Sequence, residues 1–83
     1  MDAQSPRIGL VGVAFGDVRA VSGRIEDVLS AFPDLVVARM SLPQCSPDCG
    51  LLTIVVSATT DQIGALAGRL GMLDSVRVKS LVL

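Results

Sequence analysis

The chain has 83 residues, a net charge of −1 and 51% hydrophobic residues, which together indicate one folded domain and exclude a disordered chain. The near-neutral charge excludes a general electrostatic attraction to nucleic acid or to an anionic membrane. No run of about 20 apolar residues is present, so the sequence contains no membrane-spanning helix.

The first half of the chain predicts a strand, a helix and a second strand. Residues 7–14 are apolar and rich in β-branched side chains, as is typical of a strand near the centre of a sheet. Apolar residues then recur at helical spacing over residues 18–32, with Asp17 as a capping residue before them and Pro33 after them. Residues 35–42 predict the second strand.

The second half predicts a loop, a strand, a helix and a last strand. Residues 43–50 contain two prolines, two cysteines and a glycine, a composition that favours a loop, and residues 51–58 then give the strongest strand pattern in the chain. Thr59 and the glutamine three residues later have the spacing of a capping box, so we expect a helix from here to Gly71. Alternating side chains over residues 75–83 predict the fourth strand.

The element order βαββαβ is that of the split βαβ motif. Right-handed crossovers place both helices on one face of a four-stranded antiparallel sheet. We therefore predict an α+β, ferredoxin-like sandwich over residues 7–83, after a polar lead-in at residues 1–6. The lead-in lacks the basic and apolar segments of a secretory signal, so we expect the protein in the cytoplasm, without a membrane partner.

One face of this sheet is left without helices. We expect Val55, Arg77 and Lys79 on this outer face, with Arg39 on the same face of the second strand. Its mixed character fits either a partner surface or an ordinary solvated face with scattered apolar residues. The second and fourth strands are predicted at the sheet edges, where exposed backbone groups favour pairing between chains. We therefore expect a homo-oligomer, either a dimer or a tetramer.

Glycines recur in the first strand and the second helix. Gly9 and Gly12 predict close backbone approach from a neighbouring element. Gly64 and Gly68 lie inside the predicted second helix, where each glycine costs about 1 kcal/mol relative to alanine. We interpret them as sites of close packing within the domain or across an interface, although simple tolerance of glycine is the alternative.

Cys45 and Cys49 are the two cysteines of the chain. Three residues separate them, which differs from the two-residue spacing of zinc and thioredoxin motifs. Two chains meeting at a symmetry axis would supply four thiolates for a metal ion or an iron–sulfur cluster. The alternatives are a redox switch and two cysteines without a role, so the sequence requires no cofactor.

The sequence offers few groups for catalysis. It contains no histidine for general acid–base chemistry, and its serines and cysteines have no evident base. Phe15 and Phe32 are its two aromatic residues, too few for base stacking in direct RNA recognition. Gly16 and Asp17 form a strand–helix turn whose free amides suit a small anionic group. The acidic Asp17 argues against phosphate and fits a simple cap or contact with an amine, and the lysine of a phosphate-binding loop is missing. We predict a protein that is not an enzyme.

Residues 63–71 (IGALAGRLG) and 76–79 (VRVK) resemble the iron-only hydrogenase system regulator family. The resemblance implies an ACT-like, ferredoxin-like domain, related in shape to the ligand domain of nickel-responsive repressors. ACT-like domains bind small effectors, often amino acids, at subunit interfaces near the turn after the first strand, which here is Phe15, Gly16 and Asp17. The implied function is a regulatory or effector-binding oligomeric domain. Because the sequence shows no DNA-binding segment, direct transcriptional control would need a regulatory protein partner. The alternative is an accessory protein that handles metal or iron–sulfur clusters through its two cysteines.

Overall fold

Six elements follow one another in the predicted order. The structure is a computed structural model that describes residues 5–46 and 49–83, with the backbone alone for residues 43–46. The elements are β1 (Arg7–Phe15), α1 (Val18–Ser30), β2 (Val36–Ser46), β3 (Cys49–Ala58), α2 (Thr60–Gly71) and β4 (Val76–Val82).

The four strands form one antiparallel sheet in the order β2-β3-β1-β4. Strand β1 is central and pairs with β3 on one side and with β4 on the other. The predicted ferredoxin-like architecture is confirmed, as is the position of β2 and β4 at the sheet edges. Neither helix in the described parts of the chain is long and apolar enough to cross a membrane.

The hydrophobic core lies between the helices and one face of the sheet. Alternate residues of β1 and β3 point toward the helices because successive side chains of a strand lie on opposite faces. Each helix adds a stripe at intervals of three or four residues. The largest fully buried side chains are Ile25, Ile54, Ile63, Leu66, Leu70, Val11, Val13 and Val56.

A capping box begins helix α2, as the sequence predicts. The Gln62 backbone N–H donates to Thr59 Oγ1 at 3.1 Å, and the Thr59 N–H donates to Gln62 Oε1 at 2.9 Å. Helix α1 instead ends at Ser30, two residues before the predicted end, and Phe32 N–H donates to the Leu29 carbonyl at 3.0 Å in the following turn.

The predicted loop at 43–50 is wrong over most of its length. Strand β2 continues to Ser46 and β3 begins at Cys49, with these two residues paired. Proline disfavours strands because it lacks an N–H, but an edge strand leaves alternate N–H groups unpaired and tolerates it at an irregular position. The register of β2 shifts between Leu42 and Ser46, in the segment that contains Pro43.

A β-bulge near the start of β2 reverses which side chains face the helices. Val36 pairs with Val56, whereas Ala38 pairs with Val55, so Val37 is an additional residue on this strand. One extra residue moves every later side chain to the opposite face, because the side-chain period of a strand is two.

The prediction that Arg39 lies on the outer face is therefore wrong. Arg39 pairs with Ile54, a core residue, and turns toward helix α1. Its guanidinium forms a two-point ion pair with Glu26, in which Nη1 donates to Oε1 at 3.1 Å and Nη2 donates to Oε2. The hydrogen bond from Arg39, assisted by its positive charge, lowers the pKa of the Glu26 carboxyl below the usual value despite some desolvation.

We expect removal of this ion pair to have a small, pH-dependent effect. Arg39→Gln should lower the free energy of unfolding by no more than about 1 kcal/mol at neutral pH, since the two side chains are 43% and 55% exposed. A carboxyl with a lowered folded-state pKa stabilises the fold above its unfolded pKa, near 4.5, and loses this contribution as the pH falls through the folded value. Urea unfolding across this range measures the difference.

Arg24→Gln is the matched control, because Arg24 is exposed on α1 and forms no ion pair among the described residues. The free energy of unfolding of this variant should equal that of the wild type at every pH. A difference between Arg39→Gln and the wild type that persists undiminished in strong acid would contradict the assignment.

Two glycines on neighbouring strands should respond differently to alanine. A Cβ at Gly50 would lie 2.6 Å from two carbons of the buried Phe15 ring, whereas a Cβ at Gly12 would have Lys79 O, at 3.8 Å, as its nearest neighbour. Gly50→Ala should therefore cost about 1–3 kcal/mol of stability through overpacking, and Gly12→Ala should cost little. Equal midpoints of urea unfolding for the two variants would show that the Phe15 ring moves freely.

Candidate functional site

The turn between β1 and α1 is built on an unusual backbone conformation. Asp17 precedes the helix with φ 47° and ψ 60°, in the left-handed region. Its carbonyl oxygen accepts from the N–H groups of Ala20 and Val21, both at 3.0 Å. Its carboxylate makes no capping hydrogen bond, because side-chain capping normally requires an extended backbone at this position. The predicted capping position is confirmed, whereas the predicted capping by the carboxylate is wrong.

This turn is joined to the turn that precedes β4. The Gly16 N–H donates to the Ser75 carbonyl at 3.0 Å, and Ser75 is the other residue besides Asp17 that has a positive φ among the described non-glycine residues, at 64°. The hydrogen bond holds the end of β1 beside the beginning of β4. The beginning of β4, which includes Arg77, is thereby brought to the predicted ligand turn.

A pocket of about 180 Å³ lies beside the joined turns, which we call the turn pocket. It contains Phe15 and Gly16 of the predicted ligand site, whereas Asp17 is exposed and lies outside its lining. It also contains two residues that the sequence placed in other candidate sites, Cys49 and Arg77. The described residues that line it are Ala14, Phe15, Gly16, Cys49, Ser75 and Arg77.

Sequence reasoning missed Ala14 and Ser75 as lining residues. Neither residue type suggests a ligand. The predicted topology did contain the necessary information, because β1 and β4 are antiparallel neighbours, which puts the end of one beside the beginning of the other. Pairing of Ala14 with Arg77 then follows from the register.

The outer face of the sheet holds three of the four candidate residues placed there. Val55 is half-buried near the middle of β3, and Arg77 and Lys79 are exposed on β4. A depression of about 350 Å³, which we call the sheet trough, runs along this face. Its lining residues are Gly12, Ala14, Leu51, Arg77, Val78 and Lys79.

Close packing at the glycines is confirmed at one position. A Cβ at Gly9 would lie 2.8 Å from Ile63 Cδ1, so β1 and α2 approach closely there. The same prediction is wrong for Gly12, which faces outward. At Gly64 and Gly68 a Cβ would meet nothing within 4 Å. The prediction that these glycines pack closely within the domain is therefore also wrong, whereas packing across an interface stays a prediction.

The predicted metal or redox site falls partly outside the described residues. The side chain of Cys45 is not among those described, while Cys49 is disulfide-bonded and half-buried at the turn pocket. No group of three or more His, Cys, Asp or Glu side chains suited to a metal ion occurs in the described part of the chain. Metal binding and redox switching at these cysteines stay predictions.

Comparison with solved structures identifies chains of the same fold. TM1266 of Thermotoga maritima, an uncharacterized protein, is 25% identical with a TM-score of 0.88, over 95% of this chain and 99% of that one. The ACT domain of GTP pyrophosphokinase from Chlorobium tepidum is 15% identical with a TM-score of 0.80, over 93% and 100% of the two chains. The C-terminal domain of the MgtC protein from Mycobacterium tuberculosis is 13% identical with a TM-score of 0.72, over 100% and 94%.

Comparison with family models places the chain more narrowly, whereas the curated proteins include no match. One family model matches residues 7–80, which is nearly the whole domain and includes both segments that carry the resemblance noted from the sequence. The chain belongs to this family, the TM1266-like proteins, whose description is "Iron-only hydrogenase system regulator, putative".

Proposed function

We propose that this protein is a non-catalytic regulatory module of an iron-only hydrogenase system, which binds a small effector in the turn pocket and works as a homo-oligomer. Family membership supports the regulatory role and the hydrogenase system. The observation that carries effector binding is the turn pocket itself, which lies at the strand–helix turn predicted from the sequence. In this proposal the bound state is passed on to a regulatory protein partner in the cytoplasm.

The chemistry of the turn pocket suits a molecule of the size and polarity of an amino acid. Its volume of about 180 Å³ admits a small ligand. Arg77 supplies a positive charge for a carboxylate. Arg77 is the group among the described lining residues that favours an anion, and no residue of α1 belongs to that lining.

The same residues argue against catalysis. The sequence contains no histidine, and no carboxylate of the described residues lines the turn pocket. Among these residues Arg77 is suited to holding an anion, and none is an ordinary general base for moving its protons. Binding without turnover is the function that this arrangement supports.

Effector binding is tested by thermal unfolding with each of the twenty amino acids in turn. We expect at least one to raise the melting temperature, because a ligand at 100 times its dissociation constant stabilises the folded state by about 2.7 kcal/mol. Gly16→Leu should fill the turn pocket and weaken binding by about tenfold or more, which corresponds to about 1.4 kcal/mol. Circular dichroism verifies that the variant is folded.

Gly23→Leu is the matched control for this experiment. It makes the same substitution at an exposed position on α1, where a Cβ would meet nothing within 4 Å. Its response to each amino acid should equal that of the wild type. Unchanged melting temperatures with all twenty, or equal binding by the two leucine variants, would contradict binding at the turn pocket.

Assembly is tested by light scattering coupled to size-exclusion chromatography. We expect a mass at least twice that of one chain. The edge strand β2 exposes Met40 (72%) and Leu42 (51%) on the outer face, beside backbone groups that have no neighbouring strand. Met40→Lys should shift the mass toward that of a single chain. Met72→Lys, at a methionine after α2 that is even more exposed (83%), should leave the mass unchanged, and a monomeric wild type would refute the oligomer.

A further inference from the structure

The sheet trough lies on the outer face, along the half of β1 that is nearest the beginning of β4. Its floor is formed by Gly12 and Ala14, the small outward-facing residues of β1. Ala14 pairs with Leu51 on one side and with Arg77 on the other, and Gly12 pairs with Lys79. The small floor residues therefore lie between an apolar wall on β3 and a basic wall on β4.

The charged side chains described on this face are all positive. Arg77 and Lys79 occupy the same face of β4, two residues apart, and neither forms an ion pair among the described residues. No carboxylate of the described part of the chain lies on the outer face. The acidic residues of the described part of the chain occupy helices or turns instead. They are Asp17, Glu26, Asp27, Asp34, Asp61 and Asp74.

This separation of charge is notable in a chain whose net charge is −1. The surface of a small domain usually carries both signs interspersed, whereas the two charged side chains described on this face are both cations. Two unpaired cations beside an apolar strip instead complement a molecule that has one anionic end and an apolar body. Arginine and lysine bind carboxylates through charge-assisted hydrogen bonds, which are stronger than neutral ones.

The volume of the sheet trough is sufficient for a small molecule. At about 350 Å³ it is at the lower end of the range for small-molecule sites. At roughly 30 Å³ for each water-sized group, it holds about a dozen such groups. A short chain of carbon atoms with one carboxylate fits this volume.

We propose that the sheet trough is a binding site for a small monocarboxylate with an apolar body. The carboxylate lies at Arg77 and Lys79, and the apolar body covers Gly12 and Ala14 against Leu51. The sheet trough adjoins the turn pocket, and the two share Ala14 and Arg77 as lining residues, whereas Gly12, Leu51 and Lys79 line the sheet trough alone. It does not depend on the regulatory function proposed above.

The test is a titration of the isotope-labelled full chain with octanoate, followed by backbone amide NMR. We expect saturable shifts centred on Gly12, Ala14 and the residues of β4 beside them. Octylammonium has the same apolar body with the opposite charge and should bind at least about tenfold more weakly. Acetate, which has the charge without the body, should give no saturable shifts at the same concentrations.

Two variants with matched controls locate the site. Gly12→Val should abolish octanoate binding by filling the floor, and the fold should accept it because the nearest atom to a Cβ there is 3.8 Å away. Ser57→Val adds the same side chain to the same face of the sheet outside the sheet trough and should bind normally. Lys79→Gln should weaken octanoate binding by about tenfold, whereas Arg24→Gln on α1 should not.

Each other outcome overturns the proposal in a distinct way. Equal binding of octanoate and octylammonium would show an apolar surface without a preference for anions. Shifts centred on Gly16 and Ser75, or loss of binding in Gly16→Leu but not in Gly12→Val, would assign the anion to the turn pocket. Absence of octanoate binding together with a loss of self-association in Gly12→Val would identify a second copy of the chain as the occupant.

Discussion

From Val11 to Phe15, the side chains of β1 alternate between large residues that face the helices and small residues that face away. Val11, Val13 and Phe15 are buried against the helices, whereas Gly12 and Ala14 face the other way. Because β1 is hydrogen-bonded on both sides, its side chains determine the middle of both faces at once. Large residues on one face anchor the core, and small residues on the other leave the sheet trough open between β3 and β4.

The bulge at Val37 determines which side chains of the edge strand β2 face α1 and which face outward. Beyond it, Arg39 turns toward α1 and pairs with Glu26, while Met40 and Leu42 face outward. Without the extra residue these side chains would exchange faces, which would bring apolar side chains under the helix and leave a cation on the outer face. The bulge thus makes the β2 side of the outer face apolar, across the sheet from the basic β4 side.

The architecture could be predicted from the sequence because helical spacing marks two segments, and β-branched apolar composition or alternation marks the four strands. The facing of β3 and β4 followed from alternation alone. Arg39 was misplaced because a bulge adds a residue without a distinctive sequence pattern. The Asp17 carboxylate was misassigned because the identity of a residue does not determine whether its backbone is extended or left-handed. Ala14 and Ser75 became visible as site residues only through the pairing of β1 with β4, which depends on strand order.

The strand order also has a consequence for how the chain folds. Strands β2 and β3 pair over a short separation, with Leu42 opposite Leu51, whereas β1 pairs with β4 across more than 60 residues, as between Phe15 and Val76. Closing long loops carries a larger entropic cost and slows folding. We therefore expect the β2–β3 hairpin to form early and the docking of β4 on β1 to complete the transition. The turn pocket and the sheet trough both require that last pairing, so binding at either site would report on completed folding rather than on a partly assembled sheet.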